Sequence, residues 1–223
     1  MAGLFVSAGL LAGCGGAPST PHTGTSLSTT SSSDTEITFG SARPSGKIAV
    51  SVQPDGSVAA SDWPDTCGVL TDQELLAILP QATNIERHSE AVSIRDPSTL
   101  ALTGVLPKGE CDYILELPAS SPGKRSLVLG PSVGITIPVI STRAAVTLYY
   151  ERQMEADHGS PVDLNAAGIQ CFNFTNVSEP AIACHSNQLY FEVSGSHPRV
   201  KPDEVWRDKV LSEVIRTLAA KLA

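Results

Sequence analysis

The spacing of apolar residues along the chain predicts a mixture of strands and helices from about residue 47 onward. Residues 47–52 alternate between apolar and polar side chains, and turn-forming residues at 53–56 lead into a second short segment at 57–60. Period-two alternation on either side of a turn favours a β-hairpin. Thr71 and Glu74 then have the spacing of a capping box, which predicts the start of a short helix. The residues expected to face inward from that helix are Leu75, Leu76, Ile78 and Leu79, and Pro80 is expected to end it.

Between residues 91 and 158 the same reasoning predicts four strands and then one helix. The strands are expected at 91–95, 111–117, 125–129 and 133–139. In the last of these strands, alternation would place on one face Val133, Ile135, Ile137 and Val139. Residues 141–158 favour a helix that Ser141 caps and Gly159 ends, although residues 146–150 would also tolerate a strand.

The C-terminal third of the chain predicts an antiparallel meander and then a long amphipathic helix. The three strands are expected at 168–174, 181–185 and 189–193. A stripe at helical spacing follows, formed by Trp206, Val210, Val214, Leu218 and Leu222 and widened by Leu211 and Ile215. This order of elements predicts an α+β fold, in which two or three helices pack on one face of an antiparallel sheet.

The N-terminus has a different character. Residues 2–13 are mostly apolar but too few to cross a bilayer, and they lead into Leu11-Ala12-Gly13-Cys14. This arrangement resembles the signal peptides of bacterial lipoproteins. The resemblance implies cleavage before Cys14, which would carry diacylglycerol on its sulfur and an acyl chain, such as palmitate, on its nitrogen. No Lys or Arg precedes Cys14, and this departure is expected if the natural start lies upstream of Met1.

A lipidated cysteine would place the protein outside the cytoplasm, attached to the cell membrane. The alternative is a secreted protein without a lipid anchor. Most of residues 15–46 are Gly, Pro, Ser or Thr, which is typical of a disordered linker. We therefore expect three parts: a signal peptide at 1–13, the lipidated cysteine with its linker at 14–46, and a single domain at 47–223.

Four further cysteines lie within the predicted domain, at Cys67, Cys111, Cys171 and Cys184. An even number of cysteines outside the cytoplasm implies two disulfides. Three pairings are possible, and we favour the sequential one, Cys67 with Cys111 and Cys171 with Cys184. Cys171 and Cys184 lie on predicted neighbouring strands joined by a turn. No C-x-x-C pair is present to indicate redox catalysis.

Charge and motifs favour no particular enzymatic chemistry. The net charge is −8 and the basic residues are scattered, which does not favour a nucleic-acid partner. Residues 130–134 match the sequence pattern of a hydrolase nucleophile elbow centred on Ser132, which requires a helix directly after the serine. The β-branched residues and Pro138 that follow do not favour a helix. A turn between two strands is the better interpretation. Glycine loops that bind phosphate and paired zinc ligands are absent from the sequence, and no cofactor is expected.

Three other groups of residues have the chemistry of a possible site. On a helix, Glu151, Glu155 and His158 would lie near one face and could bind a metal, although a solvated polar face is the simpler interpretation. Cys184 beside His185 could suggest an activated thiol, but a disulfide-bonded sulfur is not a nucleophile. An acid–histidine pair for a hydrolase could combine His185 with Glu155 or Asp157.

Residues 63–75, Trp-Pro-Asp-Thr-Cys-Gly-Val-Leu-Thr-Asp-Gln-Glu-Leu, resemble the opening of a group of uncharacterised actinobacterial cell-envelope lipoproteins. That family has a lipidation motif, a Ser/Thr-rich spacer and a Cys-x-Leu-Leu-Thr-x-x-Glu element, with Val69 replacing the first leucine here. Its next cysteine lies on a strand, as Cys111 is expected to, and a second cysteine pair precedes a C-terminal helix. Similar two-disulfide modules form sensor regions of some mycobacterial-type receptor kinases.

Taken together, these features predict a membrane-anchored envelope lipoprotein whose domain is a non-catalytic binding or sensor-like module. The expected partner is an envelope protein, a cell-wall component or a small apolar ligand, held in a pocket between sheet and helices lined by Leu, Ile and Val. The alternatives are a small secreted hydrolase and a lipid carrier. A carrier requires an apolar cavity of several hundred Å³ in volume, on the order of those that hold small ligands.

Overall fold

The computed structural model describes residues 37–97, 99–117, 130–175, 177–198, 200 and 203–222. The predicted signal peptide, Cys14, most of the linker and the strand predicted at 125–129 lie outside these residues. The predictions that concern them remain expectations.

Within the described residues, seven antiparallel strands form one sheet in the order β1-β2-β3-β7-β6-β5-β4. The strands are β1 Asn84–Arg95, β2 Leu102–Glu116, β3 Ser132–Ile140, β4 Ser160–Val162, β5 Gln170–Asn173, β6 Ala181–Ser186 and β7 Leu189–Ser194. The predicted meander is confirmed as β5, β6 and β7. The strands predicted at 91–95 and 111–117 are the ends of a much longer hairpin, β1–β2.

Two helices cover one face of the sheet, here called the α3 face. Helix α1, Asp72–Ile78, begins with the predicted capping box of Thr71 and Glu74. Helix α3 comprises the α-helical turn Asp203–Trp206, the π-helical segment Arg207–Leu211 and the α-helix Ser212–Leu222. The predicted apolar stripe of α3 is buried against the sheet except at Leu222, which is partly buried, and Trp206 is fully buried. In α1, Leu75, Ile78 and Leu79 are buried as predicted, whereas Leu76 is 40% exposed.

Helix α2, Arg143–Ala156, packs on the opposite face, here called the α2 face. Its cap is Thr142, whose hydroxyl accepts a hydrogen bond from the Ala145 N–H, and not the predicted Ser141. The Ser141 hydroxyl instead donates to the Gly56 carbonyl, at 3.0 Å. Residues buried between α2 and the sheet are Val139, Val146, Tyr149, Tyr150, Phe172, Ala183 and Tyr190.

A bulge in β3 explains one difference from the predicted pattern. Thr136 pairs with Glu192 but Val139 pairs with Tyr190, so β3 has one more residue than β7 between these two pairs. Pro138, which has no N–H to donate, lies within the bulge. The extra residue moves Val139 to the α2 face, while Val133, Ile135 and Ile137 pack on the α3 face as predicted. The prediction that Val139 shares their face is wrong.

Residues 37–58 form an extended arm and not the predicted hairpin. The turn is present, since the Gly56 N–H donates to the Gln53 carbonyl at 2.9 Å and Gly56 has a φ of +86°. Across the turn the Gln53 N–H donates to the Ser57 carbonyl at 2.9 Å, but no strand forms at 47–52 or 57–60, so that prediction is wrong. The Ile48 N–H donates to the Lys221 carbonyl at 2.9 Å, at the end of α3.

The arm also differs from the linker boundary predicted at residue 46. The Gly40 N–H donates to the Ile78 carbonyl at 2.9 Å, and the Ser45 N–H donates to the Glu74 carboxylate at 2.7 Å. Ile37 and Phe39 pack against the core of the α3 face. The packed chain therefore includes residues 37–46, because a few apolar side chains among the small polar residues are enough to anchor it.

Both disulfides have the sequential pairing. Cys67–Cys111 joins the short 3-10 turn Thr66–Gly68 to β2, and Cys171–Cys184 joins β5 to β6 at directly opposed positions. The α+β fold with an antiparallel sheet, a C-terminal helix and two disulfides is thus confirmed. Of the predicted helices, α1 and α3 share one face of the sheet and α2 lies on the other.

Candidate functional site

Two neighbouring hollows in the surface share the side chain of Trp63. This side chain is only partly buried, and its indole N–H donates to the Ile137 carbonyl at 3.2 Å. The carbonyl is free to accept because Ile137 precedes Pro138 in the bulge, where the ladder between β3 and β7 is interrupted. The neighbouring disulfide from Cys67 to Cys111 fixes the segment that follows Trp63 to β2. Trp63 is thereby held in a defined position at the surface.

A hollow of about 340 Å³ lies on one side of Trp63. Its walls combine proline and aliphatic surface with one ion pair, in which the Lys108 ammonium lies 3.0 Å from an Asp65 carboxylate oxygen. The lining residues are Ala60, Ser61, Trp63, Pro64, Asp65, Leu106, Pro107 and Lys108.

A second hollow, of about 520 Å³, shares Trp63 and extends toward the start of α2. It lies between the turn at Gly56, the end of the β1–β2 hairpin and the Thr142 cap. Its polar walls include Asp55, Arg95, Asp96, Thr103 and Ser141, and its apolar walls include Val58, Ile94, Pro97 and Ile140. We call the lining of the two hollows the Trp63 surface. Both volumes fall in the range of roughly 300–1,000 Å³ that is usual for small-molecule sites.

The pocket predicted between the sheet and the helices is filled. The void there measures about 10 Å³ and is bounded by Ile48, Val69, Ile135, Ile137, Leu189, Phe191, Leu218 and Leu222. Side chains from the arm, α3 and the sheet interdigitate in this space, as is normal for a protein core. That prediction is wrong, and a void of this size is too small for a lipid chain.

The structure does not place Ser132 in a nucleophile elbow. Ser132 begins β3, its N–H donates to the Ser196 carbonyl at 2.9 Å, and its own carbonyl accepts from the Trp206 indole at 3.3 Å. A strand follows the serine where an elbow needs a helix. The turn between two strands favoured from the sequence stays a prediction, because the strand expected before it, at 125–129, lies outside the described residues.

His185 is buried on β6 beneath α2. Its ring centroid lies 4.5 Å from that of Tyr150, and its Nε2 lies 3.1 Å from the Gln170 side-chain oxygen. Burial lowers the pKa of His185, and Arg143 lowers it further, while Glu151 raises it. Its Nδ1 has no hydrogen-bond partner among the described residues.

The structure does not bring the proposed partners of His185 to it. Asp157 is the C-terminal cap of α2, with its N–H donating to the Gln153 carbonyl at 2.9 Å. Within the described ranges, no hydrogen bond or ion pair joins His185 to Glu155 or Asp157. Cys184 is bonded to Cys171 and is not a free thiol.

The same ranges contain no group of three or more His, Cys, Asp or Glu side chains placed to hold a metal ion. Glu151, Glu155 and His158 lie along α2 and its C-terminal turn without converging. All three side chains are exposed to solvent.

Sequence reasoning missed the Trp63 surface. In the sequence, Trp63 and Pro64 belong to the segment that resembles an envelope lipoprotein family, and no contact of either residue is predicted. The available signal was a tryptophan-proline pair close to a cysteine, in a chain with only two tryptophans. The second hollow could not be found from sequence, because its walls come from the arm, the β1–β2 hairpin and the start of α2.

Comparisons with family models, with curated proteins and with solved structures find no match for this chain. In the part of the chain that the structure describes, no helix combines the length and apolar character needed to span a bilayer.

Proposed function

We propose that this chain is an envelope lipoprotein, anchored to the outer side of the cell membrane through Cys14. The proposal is supported by the sequence Leu11-Ala12-Gly13-Cys14 after an apolar run and by the two disulfides, which suit an oxidising compartment. Two or more acyl chains give stable attachment, since each buried CH₂ contributes about 0.8 kcal/mol.

Cys14→Ser tests this anchorage. The variant keeps the size and polarity of the side chain but cannot form the thioether to diacylglycerol. We expect wild-type protein in the membrane fraction and the variant in the fraction that is not membrane-bound. Equal retention of both proteins in washed membranes would contradict lipidation at this position.

We further propose that the domain is a non-catalytic binding module and that the Trp63 surface is its ligand site. The single observation that supports this is the placement of a partly exposed tryptophan between two hollows of about 340 and 520 Å³. Proline and aliphatic walls suit apolar ligand groups, and the polar residues at the margin suit their orientation. The ligand classes expected are an envelope protein segment, a cell-wall fragment or a small apolar molecule.

Binding can be measured with three probes: muropeptides, dispersed phospholipid and short proline-containing peptides. Trp206 is fully buried, so a change in tryptophan emission on titration reports on Trp63. We expect one probe class to shift the emission, and we expect Trp63→Ala to weaken its binding about tenfold or more, as truncation of a central aromatic anchor usually does. Leu148→Ala, at a 37% exposed position on α2, is the control and should not change affinity.

Binding of equal affinity to wild type and Trp63→Ala would show that the Trp63 surface is not the site. Failure of all three probe classes to bind would contradict the binding-module proposal. Turnover of any probe, rather than simple binding, would instead support the hydrolase alternative.

A further inference from the structure

Glu192 lies at the centre of the sheet on the α2 face. Strand register places it in one row with Thr136 of β3 and Glu110 of β2, so two carboxylates flank a single threonine across neighbouring strands. The row continues to Glu90 of β1, which pairs directly with Glu110. Like charges in directly opposed positions disfavour sheet pairing.

Tyr190, two residues before Glu192 on β7, connects Glu192 to α2. The Tyr190 hydroxyl donates to a Glu192 carboxyl oxygen at 3.0 Å, and the Tyr190 and Tyr149 rings meet edge to face with centroids 4.8 Å apart. The Gln153 amide donates to the Tyr149 hydroxyl at 2.8 Å. A chain of contacts therefore connects Glu192 to α2 through two buried tyrosines.

The strands directly paired with Glu192 present uncharged Thr136 and Ala183, and His185 of β6 lies opposite Tyr190. The charged groups that act on Glu192 from the other elements are negative. They are Glu110 on β2 and Asp157 at the C-terminal end of α2, where the helix dipole is also negative. The titratable neighbours Tyr190 and Tyr149 are uncharged phenols at neutral pH. Arg95, at the end of β1, interacts with Tyr149 and donates to the Leu100 carbonyl at 3.0 Å. Among the described residues, no cation forms an ion pair with Glu192.

These surroundings favour the neutral carboxyl group. Burial raises the pKa of Glu192 to about 7; the hydrogen bond from Tyr190 lowers it, and Asp157 and Glu110 raise it further by smaller amounts. Burial also raises the pKa of Glu110, and the neighbouring acids Asp112 and Glu90 raise it further.

We propose that Glu192 is a proton-dependent latch between β7 and the C-terminal half of α2. In its protonated form it packs beside Tyr190 and Tyr149 with no charge facing Asp157 or Glu110. When it ionises, a negative charge at a half-buried position between the sheet and α2 faces both acids and the negative end of the helix, and α2 loosens from the sheet. Because residues at the start of α2 line the Trp63 surface, the latch would also link that surface to pH, a consequence that rests on the proposed function.

The direction of the pH effect follows from the linkage between protonation and folding. Glu192 holds its proton more tightly in the folded state than in the unfolded chain, where the carboxyl has its ordinary pKa of 4.5. The latch therefore stabilises α2 fully below that value and loses its effect as pH rises toward 7. We compare the equilibrium constant for unfolding of wild type with that of a variant without the titrating group. Between pH 4.5 and 7, the ratio of the two constants should rise about tenfold per pH unit.

Glu192→Gln provides the test, since it keeps the shape and the hydrogen-bond acceptor but cannot ionise. Urea unfolding of the full chain at a series of pH values gives global stability, and hydrogen exchange of peptides from residues 143–158 gives the local stability of α2. Comparison with wild type at each pH cancels the intrinsic pH dependence of exchange. We expect α2 exchange in wild type to accelerate relative to Glu192→Gln as pH rises toward 7.

Glu116→Gln is the matched control, because Glu116 is exposed on the same strand as Glu110. The pH dependence of its stability and of hydrogen exchange in α2 should follow that of wild type. Asp157→Asn keeps Glu192 but removes a facing charge, so it should move the midpoint of the wild-type transition to lower pH. A Glu192→Gln profile parallel to wild type would overturn the latch. If that variant does not fold, an unchanged midpoint in Asp157→Asn would overturn it equally.

Discussion

A buried ion pair connects three distant parts of the chain, and its removal gives a sharp quantitative prediction. Lys221 near the end of α3 and Glu74 in α1 are only 4% and 2% exposed. The Lys221 ammonium donates to the Val69 carbonyl at 2.6 Å and to the two Glu74 carboxylate oxygens at 3.2 and 3.0 Å. Glu74 also accepts from the Thr71 N–H at 2.8 Å and from the N–H and hydroxyl of Ser45. The pair thus joins the arm, α1 and α3.

The cost of Lys221→Met can be worked out from these contacts. Removing one partner from a buried pair usually costs about 3–5 kcal/mol, because the remaining charge is left in a poor solvent. Here the Glu74 carboxylate keeps three donors from Thr71 and Ser45, which places the expected loss at the lower end, about 3 kcal/mol. Glu74→Gln should cost more, about 4 kcal/mol, since it leaves a buried ammonium facing an amide.

Urea unfolding at pH 7, followed by circular dichroism, measures both losses. The double variant should lose roughly 2 kcal/mol less than the sum of the single losses, since the two residues act on each other. The matched control is Lys108→Met, because Lys108 forms an ion pair with Asp65 at the same 3.0 Å distance but is 66% exposed. It should cost less than about 1 kcal/mol. Equal losses for Lys221→Met and Lys108→Met would refute the argument that burial determines the strength of this pair.

Three further predictions concern the disulfides, one glycine and acid stability. Replacing Cys67 and Cys111 with alanine should cost about 4 kcal/mol and replacing Cys171 and Cys184 about 3 kcal/mol in urea unfolding, because the first pair closes 44 residues and the second 13. Gly195→Ala should lower the melting temperature strongly, since its φ is +143° and an added Cβ would lie 2.2 Å from the Ser132 carbonyl oxygen; Gly68→Ala, with open space around it, should have a small effect. Burial would raise the pKa of Glu74, but hydrogen bonds from Thr71, Ser45 and Lys221 lower it below 4.5. The stability that Glu74 contributes should therefore be present above pH 4.5 and be lost as pH falls through the lowered pKa. A Glu74→Gln variant should not show this loss of stability in acid. A smaller loss for the Cys67–Cys111 variant, equal melting temperatures for the two glycine variants, or an unchanged acid limb in Glu74→Gln would each contradict the corresponding estimate.

Elements with a strong local pattern were predictable from the sequence. The stripe from Trp206 to Leu222 defines one buried face, and neither its π-helical segment nor the neighbouring elements change that face. The capping box of Thr71 and Glu74 is a local hydrogen-bond exchange and forms as expected. The meander of β5 to β7 follows from short strands joined by turns.

Features that depend on contacts distant in sequence were not predictable. The bulge at Pro138 places Val139 on the opposite face of the sheet from the one predicted, although the alternation in residues 133–139 does not indicate it. The arm has the alternation of a strand, but its backbone bonds to the end of α3, which lies more than 150 residues away. Glu192 and the Trp63 surface arise where separate elements meet, so their surroundings could be described only once the sheet order was known.

Mass spectrometry of the N-terminal peptide from membrane-extracted protein tests the proposed anchorage most directly. Lipidation predicts a peptide that begins at Cys14 and has the added mass of a diacylglyceryl group, with or without a further acyl chain. An unmodified Cys14 still joined to Gly13 would contradict the account of this protein as a tethered envelope module.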